Sequence, residues 1–170
     1  MKRVGRGSRS PQRLSHVARD GSVKMVDVAG KPVTTRIAVA QAEVRMKPAA
    51  LALLKKGRTK KGDALVTAQI AGILAAKRTS HIIPLCHPLT LTHIDVSCTI
   101  EGSNRVRIRC AAASSGQTGV EMEALTGAAV AALTIYDMCK AADRAMSIER
   151  VELVEKTGGK SGHFQRRARA

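Results

Sequence analysis

The chain has 170 residues, 44% of them apolar and 25% charged, with a net charge of +16. That length and balance suit one soluble globular domain, and no apolar run is long enough to span a bilayer. With one Tyr, one Phe and no Trp, the core is left to Ala, Val, Ile, Leu and Met, and the positive charge points to anionic partners: nucleic acid, anionic lipid or a polyphosphate.

Residues 1–21 are rich in Arg, Ser and Gly and show no periodicity, so a disordered basic N-terminal tail is expected there. They lack the apolar segment of a signal peptide, which predicts a cytoplasmic protein. The globular domain is expected over 22–163, followed by a basic tail over 164–170. The four cysteines, Cys86, Cys98, Cys110 and Cys139, have no CxxC spacing, which argues against structural zinc. In a reducing compartment they are expected as free thiols.

Val23–Val28 reads as a short strand, and Gly30-Lys31-Pro32 breaks it. From Val33 to Met46 the chain alternates: Ala38, Ala40, Ala42, Val44 and Met46 share one face of a second strand. Pro48 suits the first turn of a helix that Gly57 ends. After the basic loop Arg58–Gly62, Asp63 is placed to cap a helix running to about Arg78, with Val66, Ile70, Ile73 and Leu74 as its apolar stripe. Lys77 and Arg78 complement the dipole at its end. His81–Pro88 is irregular because it is held between Pro84 and Pro88; such a loop carrying Cys86 and His87 is a candidate site.

Two strands follow, Ile94–Ile100 and Arg105–Cys110, turning at Gly102-Ser103. Arg105, Arg107 and Arg109 fall on one face and predict a basic stripe. Thr118–Lys140 then reads as the long central helix. Thr118 and Glu121 have capping-box spacing, and the middle of the helix is apolar nearly all round, which predicts cover on more than one side. Met146–Glu155 reads as the last strand, with a bulge between Ile148 and Val151 where the apolar phase changes. The order strand, helix, strand, strand, helix, strand predicts an α+β, ferredoxin-like sandwich: an antiparallel sheet with the helices on one face.

Several residues carry chemistry. Asp137 and Lys140, three apart, share a helix face; they read either as a surface ion pair or as a coupled acid and base. Glu123 lies on roughly the same side but ~21 Å away along the helix. If both ends of the helix serve one site, that site lies between subunits. Gly159-Lys160-Ser161 lacks the preceding glycine of a P-loop, since position 154 is Val. A glycine-rich turn there still offers backbone N–H groups and one lysine to a phosphate.

The segments Ile83–Leu89 (IPLCHPL), Thr118–Thr126 (TGVEMEALT), Ala132–Ala141 (ALTIYDMCKA) and Gly158–Gly162 (GGKSG) closely resemble the cyclic pyranopterin monophosphate synthase family of molybdenum cofactor biosynthesis. Met25–Val28, Lys61–Asp63 and Ala71–Thr79 extend the resemblance over roughly 22–163. It implies a lyase that converts 3′,8-cyclo-7,8-dihydroguanosine 5′-triphosphate to cyclic pyranopterin monophosphate, releasing diphosphate. By motif position it implies Asp137 and Lys140 as the catalytic pair. It also implies Leu85, Cys86, His87, Met122 and Glu123 as substrate-binding residues, joined by Lys61, Lys77, Lys160, Glu121 and Arg36. It implies a homohexamer, a trimer of dimers with sites at a dimer interface. No cofactor or protein metal site is implied, although free Mg²⁺ could accompany the triphosphate. The long basic ends depart from the family pattern without touching these motifs. Two other classes compete: an RNA-binding module, for which strands without aromatics are poorly equipped, and a subunit without chemistry.

Overall fold

The computed structural model describes residues 20–56 and 62–167. Lys61 and nearly all of the expected N-terminal tail therefore lie outside the described residues. Within them the elements are β1 (Thr34–Arg45), α1 (Pro48–Lys55), α2 (Ala64–Ala76), α3 (Thr79–Ile82), β2 (Leu91–Glu101), β3 (Arg105–Gly116), α4 (Glu121–Cys139), β4 (Ser147–Thr157) and β5 (Phe164–Gln165). The sheet has the order β2-β3-β1-β4-β5, and every neighbouring pair is antiparallel. Helices α2 and α4 cover one face. This is the predicted α+β, ferredoxin-like arrangement, with β5 added at the β4 edge. Phe164 and Gln165, assigned to the basic tail from sequence, pair with Lys156 and Glu155.

The alternation in β1 does what it predicts: Ala38, Ala40, Ala42 and Val44 are buried against the helices. The opposite face is also closed, because Glu43 is only 1% exposed there. Arg105 reaches its carboxylate at 3.2 Å and Arg107 at 3.6 Å. Both arginines also pair with Glu101, at 3.1 and 3.0 Å. The expected basic stripe is thus largely neutralised within the sheet, and only Arg109 of the three is classed as exposed. The predicted bulge is present. Glu43 pairs with Glu149 but Gln41 with Glu152, so β4 carries an extra residue, and Arg150 takes a left-handed conformation (φ 54°) to accommodate it.

Three local expectations fail for identifiable reasons. Of the proposed strand Val23–Val28, only Val23 makes a bridge; the rest is irregular. The Thr118 capping box does not form: α4 starts at Glu121, with Val120 at the N-cap and no side-chain cap. Glu121 instead binds Lys156 at 2.8 Å. Of the expected α2 stripe only Ile73 packs against the core. Val66, Ile70 and Leu74 are each about half exposed, while Ala64, Ala68, Gly72, Ala75 and Ala76 are buried.

The reason for that last difference is the closeness of α2 to α4. A Cβ on Gly72 would lie 2.9 Å from the Gly127 carbonyl oxygen, and one on Gly127 would lie 2.6 Å from Cys110 Sγ on β3. At the contact itself there is room only for small residues, so Val66, Ile70 and Leu74 face outward, while Leu65 and Ile73 pack beside the crossing. Asp63 does cap α2 as expected, accepting from Leu65 and Val66 N–H at 2.9 and 3.1 Å. Asp143 ties the far end of α4 to the start of α1, accepting from Lys47 N–H at 2.8 Å and Ala145 N–H at 3.0 Å. The Lys47 bond, helped by the second, holds the Asp143 carboxyl below the ordinary range.

The crossing makes a direct prediction. Gly72→Val forces extra carbons against backbone that cannot yield, at a cost of about 2–3 kcal/mol. The urea midpoint should fall accordingly, whereas an unchanged midpoint would show that the two helices separate freely.

Candidate functional site

The start of α4 faces the Pro84–Pro88 loop, and between them lies a cavity of about 530 Å³. Leu85, Cys86, His87, Glu121, Met122 and Glu123 all line it, so six of the sequence-predicted residues converge. Two prolines fix the loop backbone on one side; the first turn of a helix buried on two sides fixes the other. The irregular segment before β1 contributes Val26, Val28 and Lys31. It is strapped down by two side chains. His87 Nε2 donates to the Val26 carbonyl at 2.7 Å, and Gln117 Nε2 donates to the carbonyls of Ala29 and Lys31 at 3.0 and 2.9 Å.

A second cavity, of about 800 Å³, adjoins the first. Lys31, Thr118, Gly119, Glu121 and Lys156 line both. Arg36 and Lys160 line the larger one alone. Its charged lining consists of Lys31, Arg36, Lys156 and Lys160 against the single carboxylate of Glu121, which is already bound by Lys156. Lys156 was missed by sequence reasoning. Its signal is only geometric: it sits on β4 opposite Ala38, where its side chain reaches back to the first residue of α4.

Lys77 stands apart. As the C-cap of α2 it lines a third groove, of about 500 Å³, with His93 on β2. Leu89 is common to this groove and the 530 Å³ cavity. Asp137 and Lys140 are farther still. They pair at 2.7 Å with both side chains about half exposed, and their separation from Glu121 along α4 is ~24 Å. The hydrogen bond from Lys140 to Asp137 raises the lysine above its ordinary range, and the carboxylate charge adds to this. One chain therefore does not bring the expected catalytic pair to the two cavities.

Two ionisable groups of the first cavity are shifted by their surroundings. Burial raises the Glu123 carboxyl above its ordinary value of 4.5, and the neighbouring Glu121 charge adds to this. Burial also raises the Cys86 thiol, with a further contribution from Glu123. Cys98 and Cys110 are pushed up to about 11 and about 12 by burial. None of the four cysteines is in a disulfide. Among the described residues no group of three His, Cys, Asp or Glu is arranged to hold a metal ion, and no helix is long and apolar enough to cross a membrane.

The elevated Glu123 has a stability consequence with a definite sign. Its folded form binds a proton more tightly than its unfolded form, so ionising it penalises folding at pH above the folded-state value and not below about 4.5. Glu123→Gln should raise the melting temperature at pH 8, by about 2–4 °C. The gain should vanish as the pH falls toward 4.5; a gain that is independent of pH would assign the effect to packing instead.

Comparison with known families matches the chain to the model of the MoaC family over residues 25–159. The matched span runs from the segment before β1 to the Gly158–Gly159 turn, and so includes every described wall of both adjoining cavities except Lys160 and Ser161. Because this match covers most of the sequence, the chain belongs to the MoaC family, a family of molybdenum cofactor biosynthesis.

Proposed function

We propose that the protein converts 3′,8-cyclo-7,8-dihydroguanosine 5′-triphosphate to cyclic pyranopterin monophosphate and diphosphate. The observation that carries this reading is the division of labour between the two adjoining cavities. One is lined by four cations and one carboxylate; the other holds Glu123, Cys86 and His87. A polyphosphorylated purine derivative needs both. Its phosphate chain requires fixed positive charge, most of all as diphosphate departs. Its ring rearrangement requires groups that give and take protons.

In this reading a hydroxyl of the former ribose gives up its proton and attacks the first phosphorus, and the bond from that phosphorus to the oxygen bridging it to the second breaks as the cyclic phosphate closes. The diphosphate leaves into the cationic cavity, where Lys156, Lys160 and Arg36 offset its charge. Glu123 and His87 serve the ring, with Leu85, Cys86 and Met122 shaping its pocket, and Lys61 and Lys77 complete the binding set. Mg²⁺ would enter as the counter-ion of the triphosphate; the chain's own residues need no resident cofactor. The reaction belongs in the cytoplasm.

Asp137 and Lys140 act in this scheme from a neighbouring protomer. The ~24 Å between them and Glu121 is spanned if two α4 helices run antiparallel, so that each start meets the other's finish. A homohexamer built as a trimer of dimers supplies that arrangement. The outward Val66, Ile70 and Leu74 of α2 supply apolar surface of the kind that subunits cover.

Incubation with the cyclised guanosine triphosphate should yield diphosphate and the pterin product in equal amounts; release of neither rejects the proposal. Asp137→Asn and Lys140→Ala should each lower kcat by about 10²-fold or more with the urea midpoint unchanged. Mixing a Glu123→Gln protein with a Lys140→Ala protein should restore part of the lost turnover by forming hybrid sites. If the mixture stays as slow as its components, the catalytic residues do not come from different protomers.

A further inference from the structure

The Gly158–Gly159 turn does more than reverse the chain after β4. Both residues have left-handed backbone, with φ of 94° and 72°, which favours glycine at each. Space is restricted as well. A Cβ on Gly159 would lie 1.5 Å from Arg36 Nη1 and 2.5 Å from Arg36 Cζ. A Cβ on Gly158 would lie 2.1 Å from the Thr35 carbonyl oxygen. The turn is therefore laid flat against the guanidinium and against the strand that carries it.

Arg36 itself is 9% exposed, yet no carboxylate among the described residues pairs with it. Its Nε donates to the Gly116 carbonyl at 3.3 Å and its Nη2 to the Gln117 carbonyl at 3.4 Å. These are long bonds to neutral acceptors. A charge so enclosed is costly unless an anion completes it. The one carboxylate lining the same cavity, Glu121, is taken by Lys156.

Resting on the reading above that the larger cavity takes the phosphate chain, we infer that Gly159 is a positioning residue whose missing side chain seats the Arg36 guanidinium at the wall of that cavity, so that Arg36 is its fixed cation for a diphosphate group. Lysines 31, 156 and 160 carry their charge on flexible stems, whereas Arg36 is held by its backbone carbonyls and by the glycine surface. The guanidinium fork suits two phosphate oxygens at once. A methyl group at 159 would displace the far end of a long side chain, so the fold survives while the charge moves.

Gly162 provides a matched control. Its φ is 65°, and nothing lies within 4 Å of a Cβ placed there, so Gly162→Ala carries the conformational strain without the collision. Calorimetric titration of the purified protein with inorganic diphosphate measures the seat directly. Gly159→Ala should weaken binding about tenfold, Gly162→Ala should leave it unchanged, and Arg36→Ala should weaken it at least as much as Gly159→Ala. Adding Gly159→Ala to Arg36→Ala should cost nothing more, because the residue that it displaces is already gone. Equal losses for both glycine variants would make strain the cause and overturn the inference. So would a Gly159→Ala effect that persists in the Arg36→Ala background, or unweakened binding by Gly159→Ala. Wild-type protein that turns over the cyclised triphosphate without binding diphosphate would remove the seat and leave the proposed reaction standing.

Discussion

Gly127 is the point on which the structure is pinched. The sheet presses on it through Cys110, and α2 presses on it through the backbone of Gly72. A helix held between two surfaces at this distance has no room for large side chains at the contact. The run of Ala124, Ala128, Ala131 and Ala132, all fully buried, follows from that constraint, as does the small face of α2.

The same pinch sets the geometry of the candidate site. Because α4 is clamped along its middle, its first turn cannot drift relative to the sheet. Glu121 and Glu123 are thereby held against the proline-bounded loop on one side and the end of β4 on the other. A helix gripped on two sides is a better platform for positioned charge than a loop would be. The irregular segment before β1 closes the cavity without regular pairing of its own, and its hold depends on side chains, those of His87 and Gln117.

Much of this was legible in the chain. The period-two pattern of Ala38 to Val44 reported β1, and the phase change after Ile148 reported the bulge. The motif segments brought Leu85, Cys86, His87, Met122 and Glu123 into one list, and the fold gathers them around one cavity. The failures are those of tertiary context. Hydropathy alone orients Val66, Ile70 and Leu74 inward, because it has no term for how closely α4 approaches. The spacing of Thr118 and Glu121 suits a capping box, but a lysine 35 residues downstream competes for the carboxylate. Alternating arginines look like a surface for anions until Glu43, more than 60 residues earlier, is placed beneath them by the β1–β3 register. Each of these depends on a residue distant in sequence, which local pattern does not contain.

The hydrogen bond between His87 and the Val26 carbonyl fixes a tautomer. A carbonyl oxygen can only accept, so the neutral imidazole keeps its proton on Nε2 and presents its lone pair on Nδ1. Any exchange of protons with a bound molecule that leaves this contact intact therefore runs through Nδ1. Removing the Nε2 proton would instead turn two lone pairs toward each other and cast off the segment around Val26. The grip on that segment thus rests on the Nε2 proton, while Nδ1 is left free to take up or give up another.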